Sequence, residues 1–472
     1  MNKPFQIFPF ASVPAHVATP VHAGRAASGA VLDLFLFGPD ERLGEASAGP
    51  RWATGEIWFS SCDAVALSAR AHRAARETYA GVFGGEASRP LPHWLDELRR
   101  RLAGLFGARN CEAVLAASVH EGEMLFAALA RAASDRPIVH VAAPPERPEG
   151  AGQPAETFAL RDRYGLALPA DDIDSRVARQ VAEAIAKGAD VALHVTDCSE
   201  TGLSAPSRAA VAALEQDHPG RLTVLIDARQ MRAGRETIAA DLDAGRAVLL
   251  SGSTFAGGPC GAAAVLLPGA LIERIGPFDL PGALAFQSAA LDWPPILRER
   301  RRGAFAALAD PRLGLRWESA LAELEALFAI APDMRAAIAS AFLRETHRHL
   351  AAAPLLKATD FRHPGDGAPT ILPILTFDER GRAIRAANLR RALAEPAARP
   401  GRRAARGRPI HLGAPVAIGS RDALRLALGA PQVNDVAERL AAGESFAEAF
   451  RPLADDLHET FARWSELAQD GL

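Results

Sequence analysis

The chain is poor in lysine. Of its 53 basic residues only Lys3, Lys187 and Lys357 are lysine, and the other 50 are arginine. We read that first as a genomic composition bias, but it confines any chemistry that needs a primary amine to three positions. Cysteine is scarce too: Cys62, Cys111, Cys198 and Cys260 are widely scattered, with no CxxC pair. That excludes a disulfide framework and a cysteine zinc site, and it fits a reducing compartment. No apolar run nears the ~18 residues that a membrane span needs. The opening Met1-Asn2-Lys3-Pro4-Phe5 lacks the charged-then-apolar order of a secretory signal. Charge of one sign is missing as well, with 53 basic against 56 acidic residues and a net charge of -3. Such a balance leaves no electrostatic footprint for nucleic acid or an anionic membrane. A cytoplasmic protein without a metal site is expected.

What is present is a globular composition, 49% hydrophobic and 23% charged over 472 residues, enough for two domains with substantial cores. Residues 1–55 read as an irregular N-terminal arm with one short apolar run, Val31 to Phe37, that packs on something else. Ser68 to Tyr79 and Trp94 to Phe106 read as helices, the second ended by Gly107. Short apolar runs then alternate with helical stretches. The runs are Glu112–Ala117, Ile138–Ala142, Val191–Val195, Leu222–Asp227 and Ala247–Ser251; the helices begin at Glu121, Val177, Ser207 and Ile238. Buried strands between helices imply a mainly parallel sheet covered on both faces. Ala262–Leu267 adds one further, antiparallel, strand.

This predicts a large α/β domain over 56–300 with a seven-stranded type of sheet. A smaller α+β domain over 301–472 follows. It opens with helices at Leu315–Ile330 and Met334–Leu350, continues with a β-like stretch at Thr370–Phe377, and closes on helices. Arg399, Arg402, Arg403, Arg406 and Arg408 crowd Ala397–Pro409; with no interleaved aromatics they read as a solvated loop. His347 and His349 read as part of a solvated helix face.

Ligands of an open parallel sheet bind beyond the carboxyl ends of its strands. Three polar segments fall there. Ser118-Val119-His120-Glu121 opens a helix, whose free N–H groups can hold an anion. Asp227-Ala228-Arg229-Gln230 offers a carboxylate beside an amide. Ser251-Gly252-Ser253-Thr254-Phe255-Ala256-Gly257-Gly258-Pro259 is a Gly-rich turn with hydroxyls. Each has a plainer reading. Asp227 either caps a turn or pairs with a cation, and Gln230 either lines a site or bonds within its loop. Ser118 is an anion ligand or a cap. Ser251, Ser253 and Thr254 read as turn residues, and Cys198 and Cys260 as small hydrophobes. His120 is a base, an anion donor or a filler of space, with the helix dipole expected to favour its neutral ring.

In order and spacing these segments resemble the pyridoxal-phosphate (PLP) fold type I superfamily, on the class V aminotransferase and cysteine desulfurase side. The resemblance runs from about Trp58 to Ala430. Ser199-Glu200-Thr201-Gly202-Leu203, Leu313-Gly314-Leu315-Arg316-Trp317-Glu318 and Leu424-Arg425-Leu426 add to it. It implies that Ser118, Val119 and His120 stand at the cofactor phosphate. It also implies that Asp227 pairs with the pyridine nitrogen beside Gln230, and that Ser251 and Ser253 flank the Schiff-base position. Arg425 would receive a substrate carboxylate, and a homodimer would complete each site at its interface.

The departures bear on function. Thr254 stands where the family has its lysine, and a hydroxyl forms no imine. Val119 and His120 stand where a Gly and a Thr are expected, and Pro145–Gly150 lacks the family's Gly/Ser pattern. We therefore expect a protein that has lost standard transamination: a pseudoenzyme or a small-ligand or anion-binding protein, with Thr254 marking the missing lysine. A second reading keeps PLP or pyridoxamine phosphate (PMP) non-covalently, with His120 as proton carrier. A third builds a cofactor-free enzyme from His120 and neighbouring carboxylates.

Overall fold

The computed structural model describes residues 32, 33, 35–37, 55–61, 66–85, 88–108, 110–143, 156–359, 370–395 and 407–472. Most of the arm, the Pro145–Gly150 stretch, Cys62, Lys3 and four of the five crowded arginines lie outside these residues. The fifth, Arg408, is held against Asp456 and Glu459 at 2.7 Å each.

The strands of the larger sheet are β2 (Cys111–Ala116), β3 (Ile138–Ala142), β4 (Glu156–Thr157), β5 (Asp190–Thr196), β6 (Leu222–Asp227), β7 (Ala247–Ser251) and β8 (Ala263–Pro268), in the order β2-β8-β7-β6-β5-β3-β4. Pairs among β4, β3, β5, β6 and β7 are parallel. β8 runs antiparallel to β7 and β2, as the Ala262–Leu267 run predicts. Side chains along a strand alternate between faces, and the buried residues obey this. Leu193, Val224, Ile226, Val248 and Leu250 enter one core; Ala192, Leu225, Ala247, Leu249 and Val265 enter another.

Helices α1 (Ala69–Phe83), α2 (Leu91–Gly104), α3 (Val119–Ala132), α4 (Ala170–Ala186), α5 (Arg208–Asp217) and α6 (Arg235–Asp243) accompany the strands. α3 lies close on the sheet: a Cβ at Gly122 would come within 2.5 Å of Leu249 Cδ1. Of the arm's apolar run, Leu32 and Leu36 are buried in the first core, and Arg316 Nε donates to the Leu36 carbonyl at 3.3 Å.

α7 (Pro311–Ala329) and α8 (Pro332–Ala352) lead to a five-stranded sheet in the order β1-β11-β12-β10-β9. Its strands are β1 (Ile57–Phe59), β9 (Leu356–Ala358), β10 (Ile371–Thr376), β11 (Ile410–Ile418) and β12 (Arg421–Ala427), backed by α9 (Ala386–Ala394), α10 (Ala430–Ala441) and α11 (Phe446–Gln469). Helices alone were expected to close the chain; a hairpin precedes the last two. β11 and β12 pair antiparallel across Gly419-Ser420, and Gly419 turns the chain at a φ of 61°. His349 also departs from its expected solvated face, stacking on Phe461 at 5.3 Å and pairing with Glu345 at 3.1 Å. Among the described residues no single helix is long and apolar enough to cross a membrane.

Gly314 shows how tightly α7 seats. A Cβ there would meet Trp94 at 2.5 Å and Leu95 at 2.8 Å, and the Trp94 ring is pinned because its Nε1 donates to Glu318 at 2.8 Å. Gly314→Val should cost about 1–3 kcal/mol, the usual range for overpacking. Urea unfolding at neutral pH would read it as a lower midpoint at an unchanged slope.

Candidate functional site

The carboxyl ends of β2, β5, β6 and β7 bring most of the predicted residues to one edge of the sheet. After β2 the backbone turns into α3 at Ser118. Its hydroxyl caps the helix by accepting from Glu121 N at 3.1 Å, and the buried Glu121 carboxylate turns back to accept from Ala117 N at 2.7 Å. A helix N-terminus attracts anions because its first N–H groups lack partners. Here the chain supplies its own carboxylate to that turn. Ser118 therefore acts as a cap, and Val119 is the first helical residue.

His120 projects outward, with its side chain 52% exposed and Nδ1 3.9 Å from Glu123 Oε2. That separation makes an ion pair rather than a close hydrogen bond. Pairing with Glu123 raises the imidazole above its ordinary value against the opposing effect of partial burial. The direction is opposite to the lowering that the sequence expects of a helix N-terminus, and its source is the Glu123 carboxylate one turn along the helix.

Asp227 ends β6, and Arg229, two residues on, folds back over it. Arg229 Nε donates to both carboxylate oxygens at 2.8 Å, and its backbone N–H donates to Oδ1 at 3.2 Å. The guanidinium also pairs with Glu123 from α3. Burial works against the Arg229 charge, but Asp227 and Glu123 hold it firmly protonated. Burial would likewise raise the Glu123 carboxyl; His120 and Arg229 outweigh it and bring it down to about 2. The loop after β7 closes the arrangement, as Thr254 Oγ1 donates to the Arg229 carbonyl at 2.6 Å. Ser251 and Ser253 lie in the same turn with their hydroxyls 3.1 Å apart, and Gln230 is buried behind it.

A pair of histidines lies alongside. His140 on β3 and His194 on β5 approach at 3.2 Å between ring nitrogens, and Phe126 of α3 meets His194 edge-on at 5.3 Å. Burial, then the neighbouring His140, lowers His194 to about 4. Burial lowers His140 as well.

Arg425 belongs to the other sheet, on β12, and is fully buried. Its Nε donates to the Ala414 carbonyl at 2.9 Å, and its Nη1 lies 3.3 Å from Glu200, in the loop after β5. The arginine that the resemblance assigns to a substrate carboxylate thus meets a carboxylate of its own chain. Arg232 makes a second junction. It stacks over Phe255 at 4.7 Å, donates to Thr370 Oγ1 at 2.7 Å and reaches Ser61 Oγ at 3.3 Å. Cys198 is buried with Ile371 and Ala427 in a small apolar cluster, as expected of a small hydrophobe; Cys260 is half-buried.

Of the two described lysines, Lys187 caps the carboxyl end of α4. The chain there feeds the amino end of β5, the far edge from the site. Lys357 lies on β9 with its amine over the Phe377 ring at 5.5 Å. Sequence reasoning missed Glu123, Glu200, His140 and His194, and it gave Arg229 no role. The i, i+3 spacing of His120 and Glu123 was the one local signal; the other pairings join distant elements. Among the described residues no group of three or more His, Cys, Asp or Glu could hold a metal ion.

The titrations are measurable. By NMR, His120 should titrate above its ordinary 6.5 and His194 near 4, and Glu123→Gln should lower the His120 value. Because folding depresses the His194 pKa, its contribution to stability is full above pH 6.5 and is lost as pH falls through about 4. Denaturant unfolding across that window should fall by up to about 3 kcal/mol, and His194→Asn should flatten the decline.

No protein-family model and no curated protein matches the sequence. Solved structures do resemble the fold. A cysteine desulfurase from Escherichia coli is similar over 89% of this chain and 97% of its own, at 14% identity and a TM-score of 0.55. The apo cysteine desulfurase from Thermococcus onnurineus is similar over 88% and 95%, again at 14% identity and 0.55. C-DES, in a lysine-to-alanine mutant with glycine covalently linked to the PLP cofactor, is similar over 87% and 97%, at 13% identity and 0.55. At such identities the likeness is one of architecture, and the chain has the aminotransferase-like fold type I that these enzymes share.

Proposed function

We propose that this chain is a fold type I protein that has left standard PLP chemistry, a pseudoenzyme that keeps a small-ligand cleft at the carboxyl ends of its strands. The observation that carries the reading is the internal pairing of the groups the resemblance assigns to cofactor and substrate. Asp227 is taken by Arg229, Arg425 by Glu200, the Glu121 N–H in the first turn of α3 by the Ser118 hydroxyl, and the Ala117 N–H just ahead of that cap by the Glu121 carboxylate. The Thr254 hydroxyl, at the Schiff-base position, is tied to the Arg229 carbonyl.

On this reading the residues present do not fit a covalently held cofactor. An aldehyde needs a primary amine, and both described lysines lie away from the cleft. What the cleft retains is a fixed set of charges. Glu123 raises the pKa of His120 above that of a free imidazole, and the Arg229 side chain is partly exposed. Such groups bind and orient a small polar ligand or move a proton; they supply no electron sink. The reading also carries a homodimer with clefts at its interface, which sedimentation of the purified protein would test.

Incubation with PLP, borohydride reduction and peptide mass spectrometry decide the reading. No pyridoxyl adduct should form on any cleft residue. An adduct on Lys3, or on a lysine that the partner subunit brings to the cleft, would overturn it. Cofactor retained through dialysis without an adduct would instead favour non-covalent PLP or PMP, with His120 as the proton carrier.

A further inference from the structure

We propose that Arg229 is an internal counter-ion that closes the cleft to pyridoxal-type cofactors, setting ligand specificity by filling the place of the pyridinium on Asp227. This rests on the reading above and says which residue enforces it.

The case begins with what a pyridinium needs. A ring N–H held by an aspartate requires a carboxylate that faces the cleft with an open acceptor and an unneutralised charge. In Asp227 both oxygens and the charge are already engaged by one guanidinium. Both of its oxygens accept from Arg229 Nε at 2.8 Å, and the Arg229 backbone N–H takes Oδ1 as well, at 3.2 Å. A planar guanidinium against a carboxylate is the strongest such pairing available to side chains.

Arg229 is also clamped from three sides. Asp227 holds it from β6, Glu123 holds the far end of the guanidinium from α3, and Thr254 holds its carbonyl from the turn after β7. Asp227 and Thr254 lie in two of the three segments that the sequence singles out as facing a ligand, and Glu123 follows the third by two residues. Displacing Arg229 would break the Asp227 and Glu123 pairings together and leave two partly buried carboxylates on adjoining elements without their shared cation. A phosphate-bearing ring would have to oppose that cost at the start of α3, where Glu121 already brings negative charge.

The test uses pyridoxamine 5′-phosphate, which has no aldehyde and so reports on the cleft independently of any lysine. Isothermal titration calorimetry on the purified full chain compares the wild type with Arg229→Ala. The alanine variant should bind at least roughly tenfold more tightly, and adding Asp227→Ala should abolish the gain, because the gain runs through the freed carboxylate. Arg229→Gln, which keeps a donor but not the charge, should fall between the two; it carries the same comparison if circular dichroism shows that the alanine variant does not fold.

Equal binding by wild type and variants, absence of binding by all of them, or a gain that survives loss of Asp227 overturns the proposal. The outcome is separable from the fate of the broader reading. A borohydride-stable adduct in the wild type sinks that reading, whereas equally weak or absent binding of pyridoxamine phosphate by the wild type and all variants, with no adduct, sinks only the role of Arg229.

Discussion

A mainly parallel sheet covered on both faces keeps most of its charge at the ends of its strands. In this chain that constraint gathers Asp227, Glu123 and Arg229 into one ion-paired group. The strands themselves are almost wholly apolar: β7 is buried at every position, and β6 at all but its last residue, Asp227. One cation stands against two carboxylates, and His120 lies 3.9 Å from Glu123, which raises the imidazole above its ordinary value. The group also explains why α3 starts where it does. Ser118 caps the helix, Glu121 closes the cap, and the next turn delivers Glu123 to Arg229.

The junction between the two sheets follows the same logic at lower exposure. Arg425 enters from β12 with no exposed surface and is met by Glu200; Arg232 leaves the loop after β6 and reaches Ser61, Thr370 and the Phe255 ring. A buried guanidinium without acceptors is expensive, so each of these contacts constrains how the sheets can move. Glu323 adds a third tie. It accepts from Arg70 at 2.7 Å and from Asn434 Nδ2 at 2.6 Å, joining α1, α7 and α10. Arginine pairs therefore stand both at the strand ends and at the junction between the sheets.

The architecture was largely legible because burial writes itself into period and length. Apolar runs at 138–142, 222–227 and 247–251 coincide with β3, β6 and β7, and the antiparallel strand expected at 262–267 is β8 at 263–268. The hairpin β11–β12 was harder, since Arg-Asp-Ala-Leu-Arg-Leu-Ala carries charge into a strand and Arg425 sits in the middle of it, fully buried. The site was legible as a set of places rather than of contacts. Asp227, Thr254 and His120 were found because they follow apolar runs; Glu123, Glu200 and His194 were not, because ion pairing across elements leaves no local pattern.

Composition sharpens the meaning of the arginine at 229. With three lysines in 472 residues, a missing lysine at any single position is what the chain's general bias would produce, and by itself it says little about selection at a cofactor site. A specific pairing is different. Arginine is abundant in this sequence and bridges two carboxylates elsewhere, as Arg208 does between Asp197 and Asp241; the guanidinium at 229 differs in its place, two residues beyond a strand-end aspartate, paired with a glutamate from α3 and anchored through its own carbonyl by Thr254. The same composition explains the instrument. A chain that places arginine where others place lysine gains a cation that forks onto two carboxylates, never loses its proton and forms no imine. At the strand ends, then, the composition that leaves few primary amines also supplies the guanidinium that joins Asp227 to Glu123.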